Sequence, residues 1–207
     1  MLRIKDEREM EKKIQEIIKK LRDKIQNPDS EKMDKQDLAQ QIAQEMLAEI
    51  EHKTYPIPIV NILRVLGFSV YVNKFKDDNI SGIMLIGDEL KEKFDSDRII
   101  IIERKDSLGR QRFTLAHELA HFLFDYSSKN KKYASVFKYD IAQDKQDKER
   151  IANTFAANFL MPEEMFRNRY EQLKEGNYSE DEIISILASD FQVTITAVAR
   201  RINEINL

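Results

Sequence analysis

Two histidines and one glutamate of this chain have a spacing that could support metal chemistry. They are His117, Glu118 and His121, and they form the pattern H-E-x-x-H. Residues four apart lie on one face of an α-helix, about 6 Å apart along its axis, so two such imidazoles can bind one cation. Glu118 lies about 100° further round the helix, where its carboxylate can reach a water molecule beside the cation. The pattern therefore predicts a metal-dependent hydrolytic site with Glu118 as the general base.

The pattern is rare, because the chain contains only three histidines. A shuffled chain of this composition would contain it about three times in a thousand. The residues around it, from Arg112 to Phe124, are largely apolar, which favours a buried helix. The alternative interpretation is a helix that carries two ordinary core or surface histidines.

A third metal ligand must come from elsewhere, since a catalytic zinc site uses three protein ligands and leaves the fourth position for water. No histidine follows His121 and the chain has no cysteine, so the sequence predicts a carboxylate. Glu149 lies in the first turn of a predicted helix, and Asn153 one turn later could bond the far nitrogen of a ligand histidine. Glu149 could equally complement the helix dipole. The competing carboxylates are Asp125, Asp140, Asp144 and Asp147.

Two further features of the site stay open at this level. Stabilisation of a transition state usually needs a hydrogen-bond donor opposite the base, and the candidates are Tyr126, Tyr133, Tyr139 and Arg112. Two histidines and one carboxylate also suit Fe(II), whereas the glutamate inside H-E-x-x-H favours zinc. We therefore predict Zn²⁺ as the cofactor.

Three segments of the chain are expected to position these residues. Residues 1–53 predict two charged amphipathic helices, about 2–26 and 35–52, whose apolar stripes would pack against the main domain or a second copy. Residues 54–176 contain the predicted catalytic core. Residues 177–207 predict a C-terminal pair of helices that packs on that core.

The core segment predicts a small sheet between helices. Residues near 68–72, 80–86 and 98–103 have strand composition, whereas the polar connection 127–146 predicts a solvated loop. Helices precede and follow the strands, which favours the α+β class. We predict a mostly helical core with a small sheet of about three strands.

The C-terminal helices have a spacing that could also be interpreted as a DNA-binding helix-turn-helix. Ser179 and Glu182 form a capping box before the first helix, and the second would run from about 196 to 205. Its only basic residues are Arg200 and Arg201, in a chain of net charge −3. This charge favours packing on the core over direct contact with nucleic acid.

The composition excludes several classes of protein. The absence of cysteine excludes a disulfide scaffold, a thiolate metal site and a cysteine nucleophile. The N-terminus has no secretory pattern, and no later apolar run approaches the length of a membrane span. We expect a cytoplasmic protein without a membrane partner.

Two motifs together resemble the ImmA/IrrE family of metallo-endopeptidases. They are Arg112-Phe113-Thr114-x-Ala116-His117-Glu118-x-x-His121 and Glu149-x-x-Ala152-Asn153-x-Phe155-Ala156-Ala157-x-x-Leu160-Met161-Pro162. The resemblance covers about residues 35–205 and implies a zincin-like metallopeptidase core. It implies that His117, His121 and Glu149 bind zinc, that Glu118 is the general base, and that the substrate is a helix-turn-helix repressor of a phage or mobile element.

The chain departs from the family pattern at its N-terminus. Members of the family often carry a fused DNA-binding helix-turn-helix domain there, and residues 1–53 show none. The helix over about 2–26 is additional to the family core, which leaves the mode of partner recruitment open.

These features predict a zinc-dependent endopeptidase that hydrolyses a peptide bond in a regulatory protein. The rival hypothesis is a metal-binding interaction module that inactivates a repressor by binding, with residues 1–53 as the docking surface.

Overall fold

The computed structural model of the protein describes residues 2–127, 129, 132–138 and 147–207. Short 3-10 turns occur at Ser30–Lys32 and Asp88–Leu90. The strands are β1 (Ser69–Asn73), β2 (Ile80–Gly87), β3 (Arg98–Glu103) and β4 (Lys132–Lys138). The helices are α1 (Leu2–Ile25), α2 (Lys35–Glu49), α3 (Ile59–Val65), α4 (Lys91–Phe94), α5 (Leu108–Phe124), α6 (Asp147–Leu160), α7 (Glu163–Glu175), α8 (Glu180–Phe191) and α9 (Ile195–Glu204). This arrangement confirms the α+β class.

The four strands form one mixed sheet in the order β1-β3-β2-β4. β1 pairs with β3 in parallel, whereas β2 pairs antiparallel with both β3 and β4. β3 lies between two strands and is covered on its faces, so Ile99, Ile100 and Ile102 are buried. The run of four isoleucines is typical of such a strand, because it needs apolar side chains on both faces.

The prediction of about three strands, with a solvated loop over 127–146, was wrong at β4. Lys132–Lys138 pairs with β2 along most of its length, for example Ser135 opposite Met84 and Phe137 opposite Gly82. Tertiary pairing explains the error, because the backbone groups of β2 stabilise a strand that is too polar to be recognised by its composition.

Helix α5 lies against the sheet and crosses β2 closely. It begins at the N-cap Ser107, whose hydroxyl accepts a hydrogen bond from the Arg110 backbone N–H. At Gly82 of β2, an added Cβ would lie 2.3 Å from Cγ2 of Thr114, which is far inside van der Waals contact. Only glycine therefore permits this approach of α5 to the sheet.

Helix α6 packs on the other side of α5 and also contacts α2. The buried residues of the two partners include Ala116 and Ala120 of α5 and Ala152 and Ala156 of α6. Small side chains let two helices pack at short interaxial distance. This packing brings the first turn of α6 alongside the middle of α5.

The N-terminal helices belong to the same hydrophobic core as the sheet. Ile14, Ile17, Ile18 and Leu21 of α1 are buried, and α1 contacts α2, α3 and α5. The apolar stripe therefore packs against the rest of this chain. The segment boundaries after residues 53 and 176 stay predictions.

The C-terminal helices are held to the rest of the molecule by apolar and polar contacts. The ring of Phe191 stacks on Tyr55 at a centroid distance of 4.4 Å. The buried guanidinium of Arg201 donates hydrogen bonds to the Met161 carbonyl and to Oδ1 of Asn158, at 3.2 and 2.9 Å. The capping box predicted at Ser179 and Glu182 is present.

Among the described residues, no single helix is long and apolar enough to cross a membrane. Helices α8 and α9 have the required length and apolar composition only when taken together, and the chain bends by 107° between them.

Candidate metal centre

His117, His121 and Glu149 converge on one point between α5 and α6. Their possible ligand atoms all lie within 4.8 Å of one another, and among the described residues they form a group that could hold a metal ion. The Nε2 atoms of the two histidines are 3.0 Å apart. Oε2 of Glu149 lies 3.2 Å from Nε2 of His117, and Oε1 lies 3.5 Å from Nε2 of His121.

The outer nitrogen of each histidine is bound by a different side chain. Nδ1 of His117 lies 2.9 Å from Oδ1 of Asn153, and Nδ1 of His121 lies 2.7 Å from Oδ2 of Asp125. An amide or carboxylate oxygen accepts hydrogen bonds, so each Nδ1 carries the proton and donates it. The lone pairs on the Nε2 atoms are then directed into the common point, as metal ligation requires.

Asp125 is itself held in place from the opposite side. Its Oδ1 forms an ion pair with Nζ of Lys148 at 3.1 Å. Burial raises the pKa of Asp125, but the hydrogen bond with His121 and the charge of Lys148 lower it below its usual range. Asp125 is therefore an anion that fixes the ring of His121, and its carboxylate is not directed at the centre.

The donor set fits a divalent cation. The two Nε2 atoms are 3.0 Å apart, so this arrangement is favourable only when a positive charge, either a proton or a metal ion, lies between them. Oε2 of Glu149 is buried and has no hydrogen-bond partner among the described residues. Two imidazole nitrogens and one carboxylate oxygen are the ligands of many catalytic zinc sites. The residues present therefore suit zinc.

The pKa values of His121 and Glu149 agree with this fit, whereas burial and the charge of His121 lower the pKa of His117. Burial lowers the pKa of His121, but hydrogen bonds to Asp125 and Glu149 and the nearby carboxylate charges raise it to about 10. Burial raises the pKa of Glu149, but its close contacts with the ring nitrogens of His117 and His121 lower it to about 2. The pocket thus stabilises positive charge at its centre, which a metal ion would supply.

Glu118 lies beside this centre and is completely buried. Oε2 accepts a hydrogen bond from the hydroxyl of Ser135 on β4, and Oε1 has no hydrogen-bond partner among the described residues. Burial raises the pKa of Glu118 to about 7, although the charge of His121 and the hydrogen bond from Ser135 lower it. A carboxylate with this pKa can both accept and release a proton near neutral pH.

Strand β4 supplies one wall of the site. The ring of Phe137 packs on the imidazole of His117 at a centroid distance of 3.9 Å. Burial and the charges of Asp125, Glu118 and Glu149 raise the pKa of Tyr133, so its hydroxyl stays protonated. Because alternate residues of a strand lie on one face, Tyr133, Ser135 and Phe137 share the face that carries Ser135 to Glu118.

Comparison with known proteins identifies the family to which this chain belongs. The model of a peptidase family described as the IrrE N-terminal-like domain matches residues 67–203, which is more than half of the chain. The chain belongs to this family. The matched range of the IrrE-like domain contains the sheet, α5, α6 and all of the residues at the centre.

A solved structure of a Mycobacterium tuberculosis transcriptional regulator resembles the chain with a TM-score of 0.50 and 18% identity. The alignment covers 91% of this chain and 51% of that chain, so this chain spans about half the length of the regulator. A likeness at this identity shows the fold alone. No curated protein matches the chain.

The structure brings together the five site residues predicted in this IrrE-like domain: His117, Glu118, His121, Glu149 and Asn153. Among the described residues, Glu149 faces the two Nε2 atoms, whereas the competing carboxylates have other partners. Asp125 binds the outer nitrogen of His121, and Asp147 forms an ion pair with Arg150. The other candidates, Asp140 and Asp144, lie outside the described residues. The catalytic roles of the five residues stay predictions.

The candidate donors for stabilising a transition state lie at different positions relative to the centre. The guanidinium of Arg112 is engaged by the Ile57 and Gln192 carbonyls, at 2.7 and 3.1 Å, and is not directed at the centre. Tyr126 stacks on Phe122, while Tyr133 lies within reach of the carboxylate charges of the site. Tyr139 lies outside the described residues. Tyr133 is therefore the best placed of the described candidates.

Sequence reasoning missed the contributions of Gly82, Ser135 and Phe137. The segment Lys132–Lys138 does contain a strand signal, because Tyr133, Val136 and Phe137 are aromatic or β-branched. Flanking lysines and serines obscured that signal. Pairing with β2 was needed to identify the strand.

Proposed function

We propose that this chain is a zinc-dependent endopeptidase that cleaves a regulatory protein. The observation that carries the proposal is the convergence of His117, His121 and Glu149 beside the buried carboxylate of Glu118. Membership of a peptidase family supports it independently. In this proposal the two Nε2 atoms and the Glu149 carboxylate hold the ion. When bound, zinc would supply a Lewis acid that polarises a carbonyl and makes water more acidic.

Glu118 has the properties of the general base in this reaction. Its Oε1 makes no hydrogen bond within the described residues and so can accept a proton from the attacking water. The same oxygen can then deliver that proton to the nitrogen of the departing amine. The pKa of about 7 suits both steps, because neither form of the carboxyl group is strongly favoured at neutral pH.

The proposed substrate class is a helix-turn-helix repressor of a phage or mobile element. Support comes from the resemblance of the two ligand motifs to the ImmA/IrrE family. The related fold of a protein named as a transcriptional regulator is compatible with a regulatory context. A cytoplasmic location is part of the same proposal, since a repressor acts there. No direct contact of this chain with nucleic acid is proposed.

The proposal can be tested by cleavage of purified repressors. The full chain, supplied with Zn²⁺, is incubated with helix-turn-helix repressors from the same genome, and new termini are identified by mass spectrometry. We expect one repressor to gain a single new pair of termini. Glu118→Gln should lower the rate at least about 100-fold while it retains the metal, because the amide cannot accept the proton.

Three outcomes would contradict parts of this proposal. If every repressor stays equally intact with wild type and with Glu118→Gln, the proposed peptidase function is contradicted. Full relief of repression by Glu118→Gln in cells would instead support the non-catalytic binding module. Elemental analysis of protein purified without chelator should find zinc, and stoichiometric iron would contradict the choice of metal.

A further inference from the structure

We propose that Ser135 is a positioning residue, which orients the carboxylate of Glu118 so that one oxygen is held and the other is available for proton transfer. The inference rests on the proposed function for its catalytic consequence. The contact itself is a property of the fold and can be tested separately.

The two carboxylate oxygens of Glu118 differ in their hydrogen bonding. Oε2 accepts the hydroxyl proton of Ser135, whereas Oε1 has no hydrogen-bond partner among the described residues. The terminal torsion of a glutamate side chain is broad and roughly two-fold, so an unbound carboxylate would sample many orientations. A hydrogen bond to one oxygen restricts that rotation and leaves the other oxygen to exchange protons.

The position of Ser135 follows from the packing of α5 on the sheet. Ser135 pairs with Met84 of β2, and Gly82 lies two residues earlier on β2. An added Cβ at Gly82 would lie 3.8 Å from Oε1 of Glu118, so the glutamate is directed at this part of the sheet. Without the close approach that Gly82 permits, Glu118 would not be within reach of a hydroxyl on β4.

The contribution of Ser135 is a hydrogen bond to Glu118 and not packing volume. Its side chain is smaller than those of Tyr133 and Phe137, which occupy the same face of β4. The hydroxyl is directed at a completely buried carboxylate, where a hydrogen bond is stronger than in water. Alanine at this position would preserve the packing volume closely while removing the donor.

The kinetic test compares Ser135→Ala, Ser135→Thr and a matched control, Ser185→Ala. Ser185 is an exposed serine of α8 whose hydroxyl donates to the Asp181 carbonyl. We expect Ser135→Ala to lower kcat about 10- to 100-fold, the usual effect of one hydrogen bond to a charged group, with KM and Zn²⁺ affinity within twofold. Ser135→Thr should recover most of kcat, and Ser185→Ala should match wild type.

A second measurement uses the metal-free protein and needs no activity. The side-chain carboxyl ¹³C resonance of Glu118 is assigned by its loss in Glu118→Gln. We expect it to move in Ser135→Ala and to return toward the wild-type position in Ser135→Thr.

The two measurements separate the two proposals. If wild type cleaves a repressor but Ser135→Ala has an unchanged kcat, the positioning role is overturned while the proposed function stands. If the resonance is unmoved in Ser135→Ala, the contact itself is overturned. If wild type cleaves nothing, the proposed function fails and the catalytic role of Ser135 fails with it, whereas a moved resonance would still establish the contact.

Discussion

At the scale of single residues, the geometry of the centre depends on side chains that lie outside the group His117, His121 and Glu149. Asn153 and Asp125 each bind the outer nitrogen of one histidine and thereby set which nitrogen is a ligand. Asp125 was predicted only as a competitor of Glu149 for the metal. Spacing permitted this contact, because residues four apart on a helix can meet, but it could not decide between the ring of His121 and the metal as the partner of Asp125.

We expect Asp125→Asn to lower the affinity for Zn²⁺ about 10- to 100-fold, since the amide is a neutral and weaker acceptor for Nδ1 of His121. Competition with a chromophoric chelator measures this affinity. Asp95→Asn provides a matched control, because Asp95 is exposed and its positive φ of 51° is well tolerated by asparagine. Equal affinities for Asp125→Asn and wild type would show that Asp125 does not orient the ligand.

At the scale of elements, the site is a layer between a helix pair and an edge strand. Helix α5 carries the two histidines and Glu118, α6 carries Glu149 and Asn153, and β4 carries Ser135 and Phe137. Gly82 sets the spacing between α5 and the sheet, because an added Cβ there would meet Thr114. The geometry of the centre therefore depends on the absence of a side chain at this packing surface.

We expect Gly82→Ala to lower the free energy of unfolding by about 1–3 kcal/mol, because the new methyl group would meet Cγ2 of Thr114. The φ angle of Gly82 is not positive, so alanine meets no backbone strain there. Thr114→Ser removes that Cγ2 and keeps a hydroxyl. In the Thr114→Ser background, Gly82→Ala should cost at least about 1 kcal/mol less, as measured by urea denaturation. An equal cost in both backgrounds would exclude this contact as the cause.

At the scale of the whole molecule, buried arginines join distant segments. Arg112, on the first half of α5, donates to the Ile57 carbonyl before α3 and to the Gln192 carbonyl after α8. Arg201 joins α9 to the end of α6 in the same manner. Each guanidinium donates hydrogen bonds to oxygens of segments that are distant in the chain, so these arginines connect the C-terminal helices to the core.

We expect Arg112→Met to lower the free energy of unfolding by about 2–4 kcal/mol, because two carbonyls lose a charged donor. The kcat of the folded protein should stay within about threefold of wild type, since this guanidinium is not directed at the metal centre. Urea denaturation and cleavage assays below the transition measure the two quantities. Arg64→Met, at an exposed position of α3, is the control. A large fall in kcat without a loss of stability would return Arg112 to the candidate transition-state donors.

The sequence by itself determined the local features of this protein. The H-E-x-x-H spacing predicted three residues on adjacent faces of one helix, and the composition near residues 98–103 predicted the strand β3. The motif beginning at Glu149 predicted a second helix. All of these depend on periodicity within one element, which the chain encodes directly.

Only the tertiary structure decided which atoms meet. Glu149 could not be separated from four other carboxylates by spacing, because the packing of α6 on α5 selects it and no local pattern records that packing. The same holds for β4, whose strand conformation depends on backbone bonds to β2, and for Ser135, which reaches Glu118 from another element. Contacts between elements are set by the fit of surfaces that lie far apart in the chain, so they become visible only when those surfaces are placed together.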